Sequence, residues 1–169
     1  MTIILVTNRL ELRTWSLDDS EMAFLIWGDA EVMQFVSKQF ETKAVARKAL
    51  KNAIAAQNRY GVCLWAVVEK SSRKIVGCCG FHRVESALEL AFHFIPQVWG
   101  KGYATEAAKA CLEYGFEKLD AEKIIAFVHP ENIASNRVLE KTGMKSKGLS
   151  EIDDTMENLY ELNHECLLG

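Results

Sequence analysis

Residues 95–107 read IPQVWGKGYATEA. An apolar, β-rich run ends at Pro96, and a helix-forming run begins near Tyr103. Between them stand Gly100 and Gly102, separated by Lys101. A helix N-terminus carries unpaired N–H groups and a partial positive charge, which together bind anions, phosphate above all. Glycines just ahead of it let the backbone curl and approach a ligand with no Cβ in the way. Lys101 would add a rim charge and Thr105 a hydroxyl in the first turn. The helix also carries a small-residue face of Ala104, Ala107, Ala108, Cys111 and Gly115, suited to close packing on a sheet. Taken alone, the stretch equally fits a strand-to-helix turn whose glycines serve sterics.

Two other phosphate loops are excluded. A Walker loop needs G-x-x-x-x-G-K-S/T, and here Lys101 is followed by Gly102. A dinucleotide fingerprint needs a third glycine where Thr105 stands, and it normally follows the first strand of its unit.

Outward from this stretch, the chain reads as one domain, residues 1–169, with no repeat, low-complexity tract or linker. Leu10–Thr14 reads as a strand. Ser16 or Asp18 caps a helix to about Trp27, and Asp29–Val36 is a short second helix. Thr42–Asn58 is helical, with Ala46, Ala49, Leu50, Ala53 and Ile54 on one face. Val62–Lys70 and Lys74–Arg83 form a hairpin through KSSRK, and Ala87–Ile95 lies next to it. Tyr103–Leu119 is a helix, Lys123–His129 a strand and Ala134–Thr142 a helix that ends at Gly143. Glu157–Leu167 alternates loosely, as a closing strand would. The only two prolines, Pro96 and Pro130, each end an apolar run and precede a helix, so each marks a strand exit. A β-α-β crossover makes its strands parallel. The expected fold is therefore mixed α/β (α+β): a mostly antiparallel sheet with one parallel pair, flanked by helices.

Almost half of the 169 residues are apolar and a quarter are charged, as in ordinary globular proteins. No run approaches the ~18 apolar residues of a membrane helix, and the N-terminus lacks the basic start of a signal peptide. The expected setting is cytoplasmic. A net charge of −3 argues against a nucleic-acid partner. The five cysteines, Cys63, Cys78, Cys79, Cys111 and Cys166, form no C-x-x-C pair and read as reduced core residues. His82, His93, His129 and His164 lack zinc-ligand spacing, so no metal is expected.

QVWGKGYATEA resembles the Q/R-x-x-G-x-G/A pyrophosphate loop of the GNAT N-acetyltransferase superfamily. HPENIASNRVLEKTGMKSKG resembles that superfamily's next motif, a strand exit with Asn and Ser and a helix ending in E-K-x-G-F/M. NRLELRTWSLDD resembles the opening of its RimJ/RimL-type branch, KIVGCCGF its I-G-x-x-G strand, and ALELAFHF its A-E-I-G-Y strand. The resemblance spans nearly the whole chain in order. It implies acetyl-CoA as donor and a primary amine as acceptor, either a protein N-terminus or a small molecule. It implies that Gln97, Val98, Trp99, Gly100, Lys101, Gly102, Tyr103, Ala104 and Thr105 hold the pyrophosphate. The pantetheine arm would lie where Ala87–Ile95 and Lys123–His129 splay apart. Backbone groups of Phe92, His93 and Phe94 would receive the thioester, and Asn132 would contact the CoA arm. A homodimer is also compatible with the family.

The departures concern catalysis. Many members carry a tyrosine in the last helix that protonates the departing thiolate, and that position is Leu139 here. Ser135, three residues after Asn132, is then the candidate acid or thiolate hydrogen-bond donor, or else a helix cap. Attack on a thioester needs a neutral amine, whereas alkylamines are mostly protonated at pH 7. Along Ala87–Ile95, Glu89, Ala91, His93 and Ile95 share one face. Polar residues are unexpected on a strand covered on both sides. Glu89 is the candidate base, directly or through water, or else a salt-bridged or solvated carboxylate. His93 is a second candidate, or a structural histidine. No cysteine reads as an activated nucleophile. Acceptor choice would fall to the N-terminal helices and the loops Ser37–Thr42 and Ser146–Asn158. Trp15, Trp27, Phe35, Phe40 and Trp99 are available to line that pocket or to fill the core. A degenerate acyl-CoA sensor without turnover is the alternative.

Overall fold

The computed structural model describes residues 1–36, 39–85, 87–152 and 154–164. Its strands are β1 (Ile3–Val6), β2 (Leu10–Arg13), β3 (Leu64–Glu69), β4 (Ile75–Val84), β5 (Ala87–Phe94), β6 (Lys123–Val128), β7 (Lys145–Ile152) and β8 (Thr155–Asn163). Its helices are α1 (Ser20–Trp27), α2 (Ala30–Met33), α3 (Lys43–Tyr60), α4 (Tyr103–Glu117) and α5 (Ile133–Thr142). The strands form one sheet in the order β1-β2-β3-β4-β5-β6-β8-β7. Every neighbouring pair is antiparallel except β5 and β6. The mixed, mostly antiparallel sheet with a single parallel pair is as expected.

Alternation along the strands assigns two covered faces. Leu88, Leu90, Phe92 and Phe94 share the face under α4. Phe92 lies opposite Cys79, whose Sγ is 3.5 Å from that of Cys111 on α4. The small-residue face of α4 makes that approach possible. A Cβ on Gly115 would stand 2.6 Å from Cδ1 of Ile124 on β6. Glu89, Ala91 and His93 share the opposite face, where α1 packs through Trp27. The core is continuous between the layers, and Trp65, Phe81, Leu10, Leu12 and Ile26 are its largest fully buried side chains.

Local chemistry sets the helix ends. The Ser16 side chain accepts from the Asp18 amide and caps a one-turn 3-10 helix that leads into α1, while Asp19 returns a bond to the Ser16 amide. Thr42 caps α3, and Gly61 ends it at φ +74°. Gly143 ends α5 at φ +91°, as expected of a C-terminal glycine.

Three expectations change. The loop Ser146–Asn158 is instead β7 and the start of β8, a hairpin at the sheet edge. Five of the eight β7 residues, Lys145–Leu149, are exposed one after another, so its sequence carries no alternation to read. The helix expected at Asp29–Val36 is the single turn α2, capped by Asp29. Ahead of Leu10, where no element was expected, the chain forms a strand of its own, β1. Ser37 and Lys38 of the expected acceptor loop, Asp153, Cys166 and the end of the expected closing strand lie outside the described residues.

Candidate active site

The parallel pair β5–β6 is joined only at Leu88–Ile124 and Glu89–Ile125. Beyond Glu89, β5 continues to pair with β4 as far as Phe94–Gly77. Beyond Ile125, β6 continues to pair with β8 as far as Val128–Asn158. Each strand thus follows its outer neighbour, and a wedge opens between Phe92–Phe94 and Phe127–Val128. Among the described residues their facing N–H and C=O groups have no ladder partner, and apart from the Phe94 carbonyl, which the Trp99 indole takes, they call for one when shielded from water.

The wedge opens toward the N-terminus of α4. Gly100 and Gly102 both lie in the left-handed region, at φ +76° and +79°. A Cβ at Gly100 would meet nothing within 4 Å, so backbone conformation, rather than crowding, requires the glycine. Within the loop, Trp99 N–H donates to Pro96 and Lys101 N–H to Val98. Among the described residues no such bond engages the amides of Gly100 and Gly102, and no side chain caps α4. The first-turn amides of Tyr103, Ala104 and Thr105 are unpaired by helix geometry. Five N–H groups therefore gather at one positive helix end.

The loop is held from behind. Val98 and Tyr103 point into the core, so they offer a ligand only backbone. Gln97, Trp99 and Lys101 are exposed. The Trp99 indole N–H donates to the Phe94 carbonyl at 2.7 Å and ties the loop to the end of β5. Trp99 is thus a surface brace and not part of the core. Arg9 donates to the Lys101 carbonyl at 2.8 Å, pairs with Glu106 at 2.6 Å and lies over the Tyr103 ring. Burial acts to raise the Glu106 pKa, but hydrogen bonds from Thr7 and from the Arg9 amide and side chain hold it below the usual range.

On the β6 side, Asn132 is the cap of α5. Its Oδ1 accepts from the Ser135 amide at 3.1 Å. Among the described residues neither the Asn132 NH2 group nor the Ser135 hydroxyl has a hydrogen-bond partner. Leu139 is fully buried. Beneath the first turn sits Asn136, a buried amide with four partners. It donates to the His129 and Asn132 carbonyls and accepts from Asn158 Nδ2 and the Tyr160 hydroxyl.

On the opposite face Glu89 is half-buried, and His82 on β4 lies directly across from it. Burial raises the Glu89 pKa, and the neighbouring His82 works against that rise. Four residues along β5, about 13 Å away, stands His93. Nδ1 of His93 accepts from the Trp27 indole N–H at 3.3 Å and lies 3.7 Å from Cys78 Sγ. Burial lowers its pKa to about 4, so the ring is neutral. With Nδ1 accepting, Nε2 carries the proton. Neutral His93 therefore presents a donor at Nε2, while its lone pair at Nδ1 is engaged by the Trp27 indole. A cavity of about 750 Å³ adjoins it, between α1–α3 and β4. Phe35 does not line it but stacks on His129 at the exit of β6, with ring centroids 5.2 Å apart.

Residues 9–145 match the acetyltransferase (GNAT) domain family. The chain belongs to the GNAT acetyltransferases. It is 37% identical over 145 residues to YkkB of Bacillus subtilis, an uncharacterised protein, covering 83% of this chain and 84% of that one. It is 33% identical over 146 residues to the B. subtilis N-acetyltransferase YnaD, itself uncharacterised, covering 85% and 84%. A GNAT-family acetyltransferase from Bacillus anthracis superposes with a TM-score of 0.83 at 28% identity, covering 98% and 99%.

GNAT enzymes use acetyl-CoA, and the loop suits its pyrophosphate in one testable respect: glycines stand where amides gather. Burial pushes the Cys63 thiol up to about 12 and raises those of Cys78 and Cys79 as well, so none of the three is an activated nucleophile. Among the described residues no group of His, Cys, Asp and Glu is arranged to hold a metal, and no helix is long and apolar enough to cross a membrane. Sequence reasoning missed Arg9 and Asn136. Arg9 stands ninety-two positions before Lys101, and no spacing rule links them. Asn136 sits next to Ser135, within a helix, where an asparagine reads as solvated.

Proposed function

We propose that residues 1–169 form one acetyltransferase domain that moves an acetyl group from acetyl-CoA directly to a primary amine, both substrates being bound together. The observation that carries this reading is the pairing of the wedge with the α4 N-terminus: one unpaired strand opening leads to one cluster of unpaired amides. The loop from Gln97 to Thr105 takes the pyrophosphate, with Gly100 and Gly102 central and Lys101 at the rim. The NH2 group of Asn132 donates to the CoA arm. Backbone groups of Phe92, His93 and Phe94 hold the thioester.

In the transfer step the amine nitrogen attacks the thioester carbonyl carbon. The C–N bond forms, the C–S bond breaks, and the amine proton must leave. Glu89 receives that proton through water, because it stands about 13 Å along β5 from His93. Its raised pKa suits a base working near neutrality. The Ser135 hydroxyl, without a partner among the described residues, donates a hydrogen bond to the departing sulfur. The acceptor is a protein N-terminal amine, as in the RimJ/RimL branch that NRLELRTWSLDD resembles, or a small-molecule amine.

Following free thiol from acetyl-CoA with a panel of amines and peptides tests this reading. Release that depends on an acceptor is expected. A second reading, an acyl-CoA sensor, is favoured by the buried Leu139 at the usual tyrosine position. Tight CoA binding with no release on any acceptor would establish it instead.

A further inference from the structure

We infer that the acceptor is an α-amino amide with a large apolar side chain, and that His93 selects it by donating Nε2–H to its carbonyl oxygen. This rests on the acetyltransferase reading and assigns the substrate class of the same site.

Three observations combine. First, both groups against His93 Nδ1 are donors. The Trp27 indole has only an N–H to offer, and burial keeps the Cys78 thiol protonated. The ring therefore has one tautomer, and its remaining edge is a neutral donor. Among the described residues Nε2 has no hydrogen-bond partner, although every fully buried side-chain polar atom there has one. It is therefore a donor reachable from the cavity that His93 lines.

Second, His93 lies between Phe92 and Phe94, whose backbone borders the wedge. A neutral N–H at that point cannot stabilise an ammonium, which has only hydrogens to present. It suits a carbonyl oxygen. In an α-amino amide that oxygen is attached one carbon beyond the carbon bearing the amine.

Third, Trp27, Met33, Phe40, Ala53 and Val62 help line the cavity, and the polar side chains of His82, Arg83 and Glu85 at its edge are exposed. A space of about 750 Å³ walled in this way takes an aromatic or branched side chain. A polyamine would need carboxylates spaced along the wall, and among the described residues Glu85 is the only one there.

The test compares phenylalaninamide, phenethylamine (the same amine without the carbonyl) and spermidine by thiol release from acetyl-CoA. With kcat/KM expressed per neutral amine, so that the lower pKa of an α-amino amide cancels, wild type is expected to favour phenylalaninamide over phenethylamine by about tenfold, the scale of one shielded hydrogen bond. In His93→Phe that ratio is expected to fall to within about twofold of unity. In Trp27→Phe, which releases the tautomer, it is expected to fall part-way. Equal rates for the two amines in wild type, a ratio that survives both substitutions, or spermidine as the best acceptor would overturn the inference. Titration of the CoA-bound protein by calorimetry separates the two levels. Selective binding of phenylalaninamide without thiol release upholds the site and overturns the transferase reading. Thiol release with other amines but no binding of phenylalaninamide does the reverse, and no binding of either aromatic amine also overturns the site.

Discussion

Arg9 donates from Nη1 to the carbonyl oxygen of Lys101 at 2.8 Å. A trans peptide sets its C=O and the following N–H on opposite sides. Arg9 therefore pulls one end of the Lys101–Gly102 peptide toward the β1–β2 turn and aims the Gly102 N–H away from it. The aim of this helix-end amide is set from outside the loop. Arg9→Met should weaken acetyl-CoA binding by roughly five- to tenfold, the scale of one charge-assisted hydrogen bond. Its melting temperature should fall only slightly, because the Arg9 side chain is 43% exposed and exposed ion pairs contribute little. Calorimetric titration with CoA beside a thermal melt reads both, and a large melting shift with unchanged affinity would refute the aiming role.

Gly102→Ala tests backbone strain separately from space. The nearest atom to an added Cβ is Arg9 Nη2 at 3.5 Å, an ordinary contact, whereas φ is +79°. The expected loss is about 1 kcal/mol in urea unfolding, with a larger loss in CoA affinity as the loop relaxes to negative φ. Unchanged CoA affinity would separate the glycines from the ligand.

Asn132 and Ser135 should part in their effects. Asn132→Ala removes a cap and should cost about 1 kcal/mol of stability. Ser135→Ala removes a hydroxyl with no partner among the described residues. It should leave the melting temperature in place while lowering kcat several-fold. A Ser135→Ala enzyme with full kcat would assign the thiolate to solvent.

Glu89 carries a signed pH prediction. Burial raises its folded pKa, so the fold prefers the protonated form. That contribution is fully present below the unfolded pKa and is lost as pH rises through the folded one. Glu89→Gln should therefore stabilise the protein at neutral pH, and the gain should vanish in acid. The same change should remove the acidic limb of the kcat/KM profile, a limb placed above the ordinary carboxylate range. Melting curves and rates measured across pH give both, and a retained acidic limb would discard Glu89 as base.

Asn136→Ala should be the most destabilising of these changes. It deprives two carbonyls, Asn158 and Tyr160 of their buried partner. A loss of roughly 2–4 kcal/mol is expected. Denaturant unfolding measures it.

What the sequence disclosed follows from physics that is local. Pro96 and Pro130 marked the ends of the two splayed strands because proline cannot continue a ladder. Gly100 and Gly102 marked a left-handed turn, and alternation put Glu89 and His93 on one face. Edge strands were harder. Lys145–Leu149 is exposed residue after residue, so β7 has no apolar period to display. Hardest were contacts between distant segments. That Trp27 would face His93, sixty-six residues away, and thereby fix its proton, depends on how α1 crosses the sheet. No window of sequence contains that information.

The two register pairs at Leu88–Ile124 and Glu89–Ile125 have a mechanical meaning as well. They rivet together two plates, β1–β5 on one side and β6–β8 on the other, each internally laddered to its last residue. Rotation about that rivet would change the width of the opening without breaking a hydrogen bond in either plate. A gap built in this way can be regauged by substitutions in the packing of α4 and α5 on the plates, leaving the plates themselves untouched. The width of the opening is thus set by how α4 and α5 pack on the two plates rather than by the ladders within them.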